Sequence, residues 1–438
     1  MLTRVRIRRY KSLNDVEVSL NPLSLLLGPN AAGKSNFLDA LQLLSKLATN
    51  KILKDAFELP NRGKPLESFS FGPKGLKGLV EESQLSFSIE ADLYLSDAVV
   101  SAVNRQIREM RRPSSEGHSD ETGKTVAQVR ERNLRYRIEI EMLPKSGVLR
   151  VSDEYLAALS EKGEPTRKRK PFIERQGEKI HLRLEGQAHP TYFDRGLDHS
   201  ILSMPHYPPH YPHLVAARRE LESWLFFYFE PRQHMRAANP VKEVRHIGLM
   251  GEELAAFLNT LKASEPKQFS AVEKALHTLM PNIEGIEVEV SDLGEVELRL
   301  RENGIAIPAR VLSEGTLRML GLLALTGVSD APALVGFEEP ENGVHPRRIQ
   351  LVAELLRTRA SLGQTQYIVT THSPILPDLL PEDSLFVVRR VDGRTTIEPL
   401  ASWGPLAKKT EIDRALLDEG ESERLPVSER ILRGDFDA

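Results

Sequence analysis

The chain of 438 residues carries 59 lysines and arginines against 62 aspartates and glutamates, and it contains no cysteine. The formal net charge of -3 excludes a histone-like polycation, so any nucleic-acid contact must come from a local basic patch. The lack of cysteine excludes a disulfide framework, a thiolate zinc site and an iron–sulfur cluster. The longest apolar run, residues 319–328, is about half of a ~20-residue membrane span. We therefore expect a cytoplasmic protein without membrane contact.

Two strands and a helix are predicted near the start of the chain. Residues 2–8 alternate imperfectly between apolar and charged side chains, which indicates a strand with one solvated face. Residues 23–27 are apolar apart from Ser24, which is typical of a strand covered on both faces. The helix that follows is indicated by apolar residues at helical spacing: Phe37, Leu38, Leu41 and Leu44.

The region from about residue 50 to residue 231 has a different character, and we interpret it as an insertion of strands and short helices. Alternation predicts strands over residues 84–96, 134–143 and 179–184. Residues 214–229 return to a helical pattern with an aromatic stripe that we assign to core packing. The stripe consists of Leu221, Trp224, Leu225 and Tyr228.

Strands and helices alternate in the C-terminal part. The predicted strands are 333–337, 366–370 and 384–389, and a helix is predicted over 345–359. Because strands joined by helices usually pair in parallel, we predict an α/β protein with a mixed, largely parallel central sheet and an inserted α+β lobe. The expected segments are an N-terminal core part (1–80), the inserted lobe (81–213), a C-terminal core part (214–400) and a tail (401–438).

The segment Gly28-Pro-Asn-Ala-Ala-Gly-Lys-Ser35 matches G-x-x-x-x-G-K-[ST] between a predicted strand and a predicted helix. Gly28 and Gly33 permit a tight turn whose N–H groups face inward, and the helix adds its positive end. Lys34 is expected to bridge the β- and γ-phosphates of a nucleotide, and the Ser35 hydroxyl to ligate Mg²⁺. The alternative is a glycine-containing turn that binds nothing, and the flanking strand and helix argue against it.

A second apolar strand ends in the carboxylate pair Glu338 and Glu339, where a parallel sheet presents its ligands. We assign Glu338 to the metal side and Glu339 to the water that attacks the phosphate. Glu341 is a further candidate, with capping of the next turn as its alternative role. A solvated acidic loop would be the better explanation if the glycine-rich segment were missing.

Two further segments complete the set. Ser313 and Gly315 precede a predicted helix and form a second candidate anion site, although such a pattern taken alone is more often a simple helix N-cap. His372 follows a predicted strand and is placed to hydrogen-bond a γ-phosphate, with a buried structural histidine as the alternative. The order of the four segments along the chain favours a phosphate-binding role both for the Ser313 segment and for His372.

In this order the segments resemble an ATPase head of the ABC type in the RecF/SMC-like superfamily. They resemble more closely the stand-alone bacterial "predicted ATPase" group of the AAA family. That group is related to the ATPase half of OLD (overcoming-lysogenization-defect) nucleases and to ATPases of anti-phage defence systems. The matching segments are residues 5–13, 28–35, 312–318, 337–346 and 370–374.

The resemblance implies a P-loop ABC-type head and an ATP site split between two subunits of a head-to-head homodimer. Ser313 and Gly315 of one subunit would face the phosphates bound at Lys34 of the other. Glu339, Glu338 and His372 would be catalytic, and Ser35 and Glu338 would hold Mg²⁺. The expected ATP contacts are Gly28, Pro29, Asn30, Ala31, Ala32, Gly33, Lys34, Ser35, Asn36, Ser313 and Gly315.

Three positions depart from the family pattern. Glu338 stands where the Walker B segment usually has Asp, although this subfamily commonly has Glu there. His345 stands where the D-loop usually has Asp, which leaves communication between subunits open. No Q-loop glutamine follows the first helix, and Gln84 in an alternating strand is a poor candidate.

The setting implied by the resemblance is bacterial anti-phage defence, in which an ATP-hydrolysing switch senses infection and controls a separate nuclease or toxin. The alternative is a RecF-like ATPase clamp that grips DNA during repair or replication. OLD nucleases end in a Toprim nuclease domain, but only 66 residues follow His372. We therefore expect any nuclease activity to come from a separate polypeptide.

Basic residues of the insertion are candidates for DNA or RNA contact, with solvated surface charge as the commoner explanation. One common groove for them would favour the DNA clamp, and an apolar or acidic docking face would favour a protein partner. These residues are Arg105, Arg108, Arg111, Arg112 and the run 167–170.

Two short patterns resemble metal-binding motifs, but for each we prefer an explanation without a metal. His206, His210 and His213 have spacing that suits a metal, but prolines interrupt them and no acidic ligand is near, so a surface loop is expected. Asp435-Phe-Asp437 imitates a metal-binding pair and is expected in a disordered tail.

Overall fold

The computed structural model describes residues 1–58, 62–110, 128–167, 169–185, 190–325, 331–403 and 426–436. The chain divides into two compact units. Unit 1 comprises Met1–Leu20, Ser35–Trp224 and Arg390–Ile397. Unit 2 comprises Asn21–Lys34, Leu225–Arg389 and Glu398–Ala438.

The strands, in chain order, are β1 (Leu2–Tyr10), β2 (Leu13–Ser19), β3 (Leu23–Leu27), β4 (Leu85–Tyr94), β5 (Asn133–Leu143), β6 (Val148–Ala158), β7 (Ile173–Gln176), β8 (Lys179–Arg183), β9 (Pro190–Asp194), β10 (Leu225–Phe227), β11 (Asn239–Pro240), β12 (Ile283–Val290), β13 (Glu295–Glu302), β14 (Ile305–Pro308), β15 (Leu334–Glu338), β16 (Gln366–Thr371), β17 (Leu385–Val391) and β18 (Arg394–Pro399).

The α-helices are α1 (Lys34–Thr49), α2 (Leu53–Ala56), α3 (Gly75–Glu81), α4 (Asp97–Met110), α5 (Pro212–Glu222), α6 (Leu254–Ser264), α7 (Pro266–Leu279), α8 (Glu314–Leu325), α9 (Pro346–Ser361), α10 (Ile375–Asp378) and α11 (Val427–Leu432). Short 3₁₀ turns lie at Pro65–Ser68, Ala309–Val311, Glu382–Ser384 and Leu400–Trp403. None of the helices in the described ranges has both the length and the apolar character that a membrane crossing requires.

Unit 1 is built on an eight-stranded sheet with the order β2-β1-β4-β5-β6-β7-β8-β9, in which every neighbouring pair is antiparallel. Period-2 patterning produces this sheet, because alternate residues of β4 and β5 are buried. On the buried side, the Phe87 ring meets the edges of Tyr10 and Phe69 at centroid distances of 5.3 and 5.2 Å.

A six-stranded sheet with the order β10-β15-β16-β3-β17-β18 carries the glycine-rich loop. The pairings from β10 through β17 are parallel, so these strands end at one edge. All five residues of both β3 and β15 are buried, as expected for strands that are covered on both faces. A smaller antiparallel sheet of β11, β13, β12 and β14 lies in unit 2.

The structure differs from the sequence-based expectation in two respects. We expected a largely parallel central sheet. The six-stranded sheet around the glycine-rich loop is largely parallel, but the eight-stranded sheet, the larger of the two, is antiparallel. The helix expected over residues 214–229 is also wrong, because α5 ends at Glu222 and β10 follows. Leu225, Phe226 and Phe227 pair in parallel with β15, and this sheet pairing overrides the helical spacing of the stripe.

Candidate active site

The glycine-rich loop joins the carboxyl end of β3 to α1, at the sheet edge where open parallel sheets present their ligands. Gly28 is required by a close approach, because a Cβ there would lie 2.1 Å from the carbonyl oxygen of Val388 on β17. Ala31 and Gly33 have φ angles of 62° and 109°, so the loop turns sharply before the helix. Successive amides in such a turn form a concave nest that suits an anion.

Lys34 is the first residue of α1, and it is 6% exposed. Its Nζ donates to the carbonyl oxygens of Gly28 at 2.7 Å and Pro29 at 2.9 Å. Burial lowers the pKa of this amine, and the charges of Glu339, Glu338 and Glu341 act in the opposite direction. The structure therefore brings the lysine of the loop and the acidic segment into one electrostatic site.

Glu338 is the buried last residue of β15, and its backbone pairs with Thr370 of β16. The next residue, Glu339, has a φ of 49°, which turns the chain away from the strand. A non-glycine residue in this region costs about 1–3 kcal/mol, and such strain is characteristic of functional sites. The backbone N–H of Glu339 donates to the Thr370 carbonyl at 3.0 Å, which fixes the turn against the neighbouring strand.

His372 and Glu339 form a pair at this edge, with His372 Nδ1 lying 2.8 Å from Glu339 Oε1. The histidine side chain is 46% exposed and the glutamate side chain 21% exposed, so solvent reaches both groups. The buried structural role that the sequence left open for His372 does not apply. Sequence reasoning assigned both residues to one site without foreseeing that they contact each other directly.

Behind this pair, Glu341 is buried and accepts a hydrogen bond from the Thr371 hydroxyl. Its backbone carbonyl accepts from Val344 N–H at 2.9 Å. Sequence reasoning treated Glu341 as a secondary candidate. The signal that favours a larger role is its position between two strand ends, which only the parallel pairing of β15 and β16 reveals.

Ser313 is exposed and caps α8, since its Oγ accepts from Thr316 N–H at 3.1 Å. The N-cap alternative is therefore correct as a description of this state, and it does not exclude a second role. Gly315 packs against the acidic loop, because a Cβ there would lie 2.6 Å from the Gly343 carbonyl oxygen. This close approach is a requirement for glycine that does not involve nucleotide.

The remaining predicted residues are also placed. Pro29 and Asn30 line a cleft of about 280 Å³ together with Gly28, residues 371–373, Ile431 and Phe436. Ala32 is buried within the loop, and Ser35 lies in the first turn of α1. Asn36 donates from Nδ2 to Ser12 Oγ at 2.7 Å, so its amide has a role within unit 1.

Two C-terminal residues, His345 and Phe436, have structural roles in unit 2. His345 is the N-cap of α9, and its Nδ1 accepts from Arg347 N–H at 3.3 Å. Phe436 is buried in the core of unit 2, where the sequence predicted a disordered tail. Asp437 lies outside the described residues. An isolated aromatic residue in a polar tail was the available signal for this packing.

Some of the basic residues proposed to contact nucleic acid are exposed, and one of them pairs with a carboxylate instead. Arg105 and Arg108 are exposed on α4, and Arg167 and Lys170 are exposed in a loop. Arg169 instead pairs with Glu185 and stacks 4.5 Å from the Phe172 ring centroid. Arg111, Arg112 and Lys168 lie outside the described residues.

The three histidines of 206–213 serve separate structural roles. His213 is buried, and its Nε2 accepts from the N–H groups of Arg130 and Glu131. His206 bonds the Ile201 carbonyl, and His210 lies edge-on to Tyr207. Within the described ranges, no group of three or more metal-binding side chains is found.

The residues at the loop fit a nucleotide and its magnesium ion. The nest of positive-φ residues and the Lys34 ammonium suit phosphate oxygens. The Ser35 hydroxyl and the Glu338 carboxylate are hard oxygen donors of the kind that Mg²⁺ takes in small number alongside phosphates.

Comparison with known proteins identifies a family and a relative of this chain. A family model described as "AAA domain, putative AbiEii toxin, Type IV TA system" matches residues 23–98 and 48–378. An OLD nuclease of Thermus scotoductus is 39% identical over 44 residues, which span 10% of this chain and 8% of that protein.

Two SMC head structures are similar to this chain to different degrees. An SMC head bound to the C-winged helix domain of ScpA has a TM-score of 0.51 at 12% identity, covering 90% of this chain and 97% of that chain. The SMC head domain from Thermotoga maritima has a TM-score of 0.40 at 14% identity, covering 91% and 98%. The chain thus belongs to this AAA-domain family, and its fold resembles that of an SMC head.

Proposed function

We propose that this chain binds ATP with Mg²⁺, hydrolyses it to ADP and phosphate, and serves as the ATPase component of a bacterial anti-phage defence system. The observation that carries the proposal is the Glu339–His372 contact of 2.8 Å at the sheet edge that also bears Lys34. A carboxylate and an imidazole beside a phosphate nest are the groups that hydrolysis of a γ-phosphate needs.

Each group has a task in this reaction. The loop amides bind the phosphates, and Lys34 Nζ exchanges its two carbonyl partners for phosphate oxygens. Glu339 accepts the proton of the attacking water. Ser35 and Glu338 would hold Mg²⁺, which would supply positive charge for the developing phosphate charge.

The observed pair also constrains His372. A neutral imidazole carries one N–H, so a ring that donates from Nδ1 to Glu339 cannot also donate from Nε2 to a phosphate. Donation to both requires the imidazolium form, or else Glu339 must release the ring before it accepts a proton from water. The pair is therefore expected to rearrange when ATP binds.

We further propose an ATP-dependent homodimer, in which Ser313 and Gly315 complete the site of the other subunit, and a separate nuclease or toxin as effector. Ser313 is exposed at the start of α8 and free to face another molecule through its outer surface. The family description names a toxin of a toxin–antitoxin system, and the short OLD match names a nuclease. Both support control of a damaging effector more directly than a DNA clamp.

The test measures ATP hydrolysis and nucleotide binding in wild type, Lys34→Ala and Glu339→Gln. Lys34→Ala should lose nucleotide affinity. Glu339→Gln should keep it while turnover falls by about 10²-fold or more. Lys51→Ala, an exposed lysine, and Glu354→Gln, an exposed glutamate on α9, are matched controls. Unchanged ATP affinity in Lys34→Ala would refute the proposed cradle.

The biological role is tested by expressing the chain with its neighbouring reading frames in a phage-susceptible bacterium. Protection in plaque assays that Lys34→Ala abolishes, and an effector that copurifies with the chain, would support defence. An active ATPase that gives no protection but binds duplex DNA only with ATP, through Arg105 and Arg108, would favour the clamp instead.

A further inference from the structure

A buried hydrogen bond joins the acidic loop after β15 to the segment that carries His372. Glu341 is only 5% exposed, and Thr371 at the end of β16 is fully buried. The Thr371 hydroxyl donates to Glu341 Oε1, while Oε2 of the same carboxylate is buried and has no hydrogen-bond partner among the residues that the structure describes. A polar group buried in this way is costly, so its retention calls for an explanation.

The direction of this bond is fixed by its neighbours. Ser373 N–H donates to Thr371 Oγ1 at 2.9 Å, so that hydroxyl already accepts one hydrogen bond. Its single proton is then available for Glu341, whose oxygen accepts it. The chain of contacts runs from Glu341 through Thr371 to Ser373, on both sides of His372.

The same two segments meet at two other points. Glu339 N–H donates to the Thr370 carbonyl at 3.0 Å, and Glu339 Oε1 lies 2.8 Å from His372 Nδ1. The main-chain bond joins the two segments at Thr370, before His372. The Glu341–Thr371 bond is a side-chain contact between the same segments, and it lies directly before His372 in the chain.

We propose that Glu341 is a positioning residue, which holds His372 in register with Glu339 through the Thr371 hydroxyl. This inference rests on the proposed function, since the pair it positions is the one assigned to ATP hydrolysis. Burial raises the pKa of Glu341, because the interior disfavours the charged carboxylate. Glu341 touches neither the phosphates nor the attacking water in this scheme.

The first test compares Glu341→Ala, Thr371→Val and Thr371→Ser in steady-state ATPase assays. We expect kcat to fall by about tenfold or more in the first two variants, with KM for ATP changed less than about twofold, because misplacement acts on the reaction and not on binding. Thr371→Ser keeps the hydroxyl and should stay within about threefold of wild type. Glu341→Gln keeps an acceptor oxygen and should behave likewise.

A double-mutant cycle separates positioning from general destabilisation. In a His372→Ala background, Glu341→Ala should cause little further loss of kcat, because the residue it positions is gone. Additive losses would overturn the inference. Glu154→Gln is the matched control, since Glu154 is a fully buried carboxylate of unit 1, and its loss should lower stability without this pattern.

A second measurement does not depend on hydrolysis. Amide hydrogen exchange over residues 370–378, without nucleotide, should be faster in Glu341→Ala and Thr371→Val than in wild type or Thr371→Ser. Unchanged exchange would overturn the inference even if the wild-type chain lacked ATPase activity. Conversely, an active wild type whose kcat survives Glu341→Ala would overturn the inference and leave the proposed ATPase function intact.

Discussion

The contact between Gly315 and Gly343 allows a substitution to be analysed quantitatively. A Cβ at position 315 would lie 2.6 Å from the Gly343 carbonyl oxygen, whereas ordinary contacts begin at 3.4 Å. The opposing atom belongs to the backbone of the acidic loop, so no side chain can rotate away. The start of α8 and the loop must therefore separate by about 0.8 Å in Gly315→Ala.

The consequence has two parts. Overpacking of this kind costs about 1–3 kcal/mol of stability. The loop that moves also carries Glu339, and a displacement of about 1 Å at a reacting group costs about 10²-fold in rate. We expect Gly315→Ala to lower both thermal stability and kcat even in the half of the site that belongs to its own subunit.

The assay combines thermal unfolding with ATPase kinetics, and Gly72→Ala is the control because a Cβ there would have nothing within 4 Å. Wild-type stability and turnover in Gly315→Ala would refute this packing argument. The result also bears on interpretation, because activity loss at position 315 cannot by itself be taken as evidence for contact with a phosphate.

Two further predictions concern assembly and pH. Ser313→Arg should block turnover while sparing ATP binding, and mixing it with Lys34→Ala should restore part of the activity if each site uses both subunits; no recovery in the mixture would contradict a shared site. Burial raises the pKa of Glu154 to about 7 in the folded chain, from 4.5. The folded state then holds more protons than the unfolded state between these values, so stability should fall as pH rises from 4.5 to 7. Glu154→Gln should flatten this dependence in thermal unfolding measured across that range, and an unchanged slope would show that another group is responsible.

Local patterns predicted the parts of the site that depend on neighbours in sequence. The loop at Gly28–Ser35 lies between a buried strand and a helix, and the apolar residues on either side of the loop predict both elements. The paired carboxylates end a strand for the same reason. His372 was assigned from its position after β16, and the structure places it beside Glu339.

Features that depend on tertiary contact were not accessible to this reasoning. The switch from helix to strand after Glu222 follows from parallel pairing with β15, which no local spacing encodes. The positive φ of Glu339 and the burial of Glu341 arise where two strand ends meet. Phe436 is buried because unit 2 offers it a core site far away in sequence.

The packing of α8 also links the two halves of the proposed composite site within one chain. Ser313, which would serve the partner's ATP, caps the helix whose second residue is held against Gly343. Gly343 belongs to the loop that begins with Glu339, which would serve the chain's own ATP. Because a close backbone contact transmits displacement with little loss, a change in the Glu339 turn must shift the start of α8. In the proposed dimer, coupling between the two ATP sites would then need no separate communication element. This would suit a chain in which His345 stands at the usual position of the D-loop acid and caps α9.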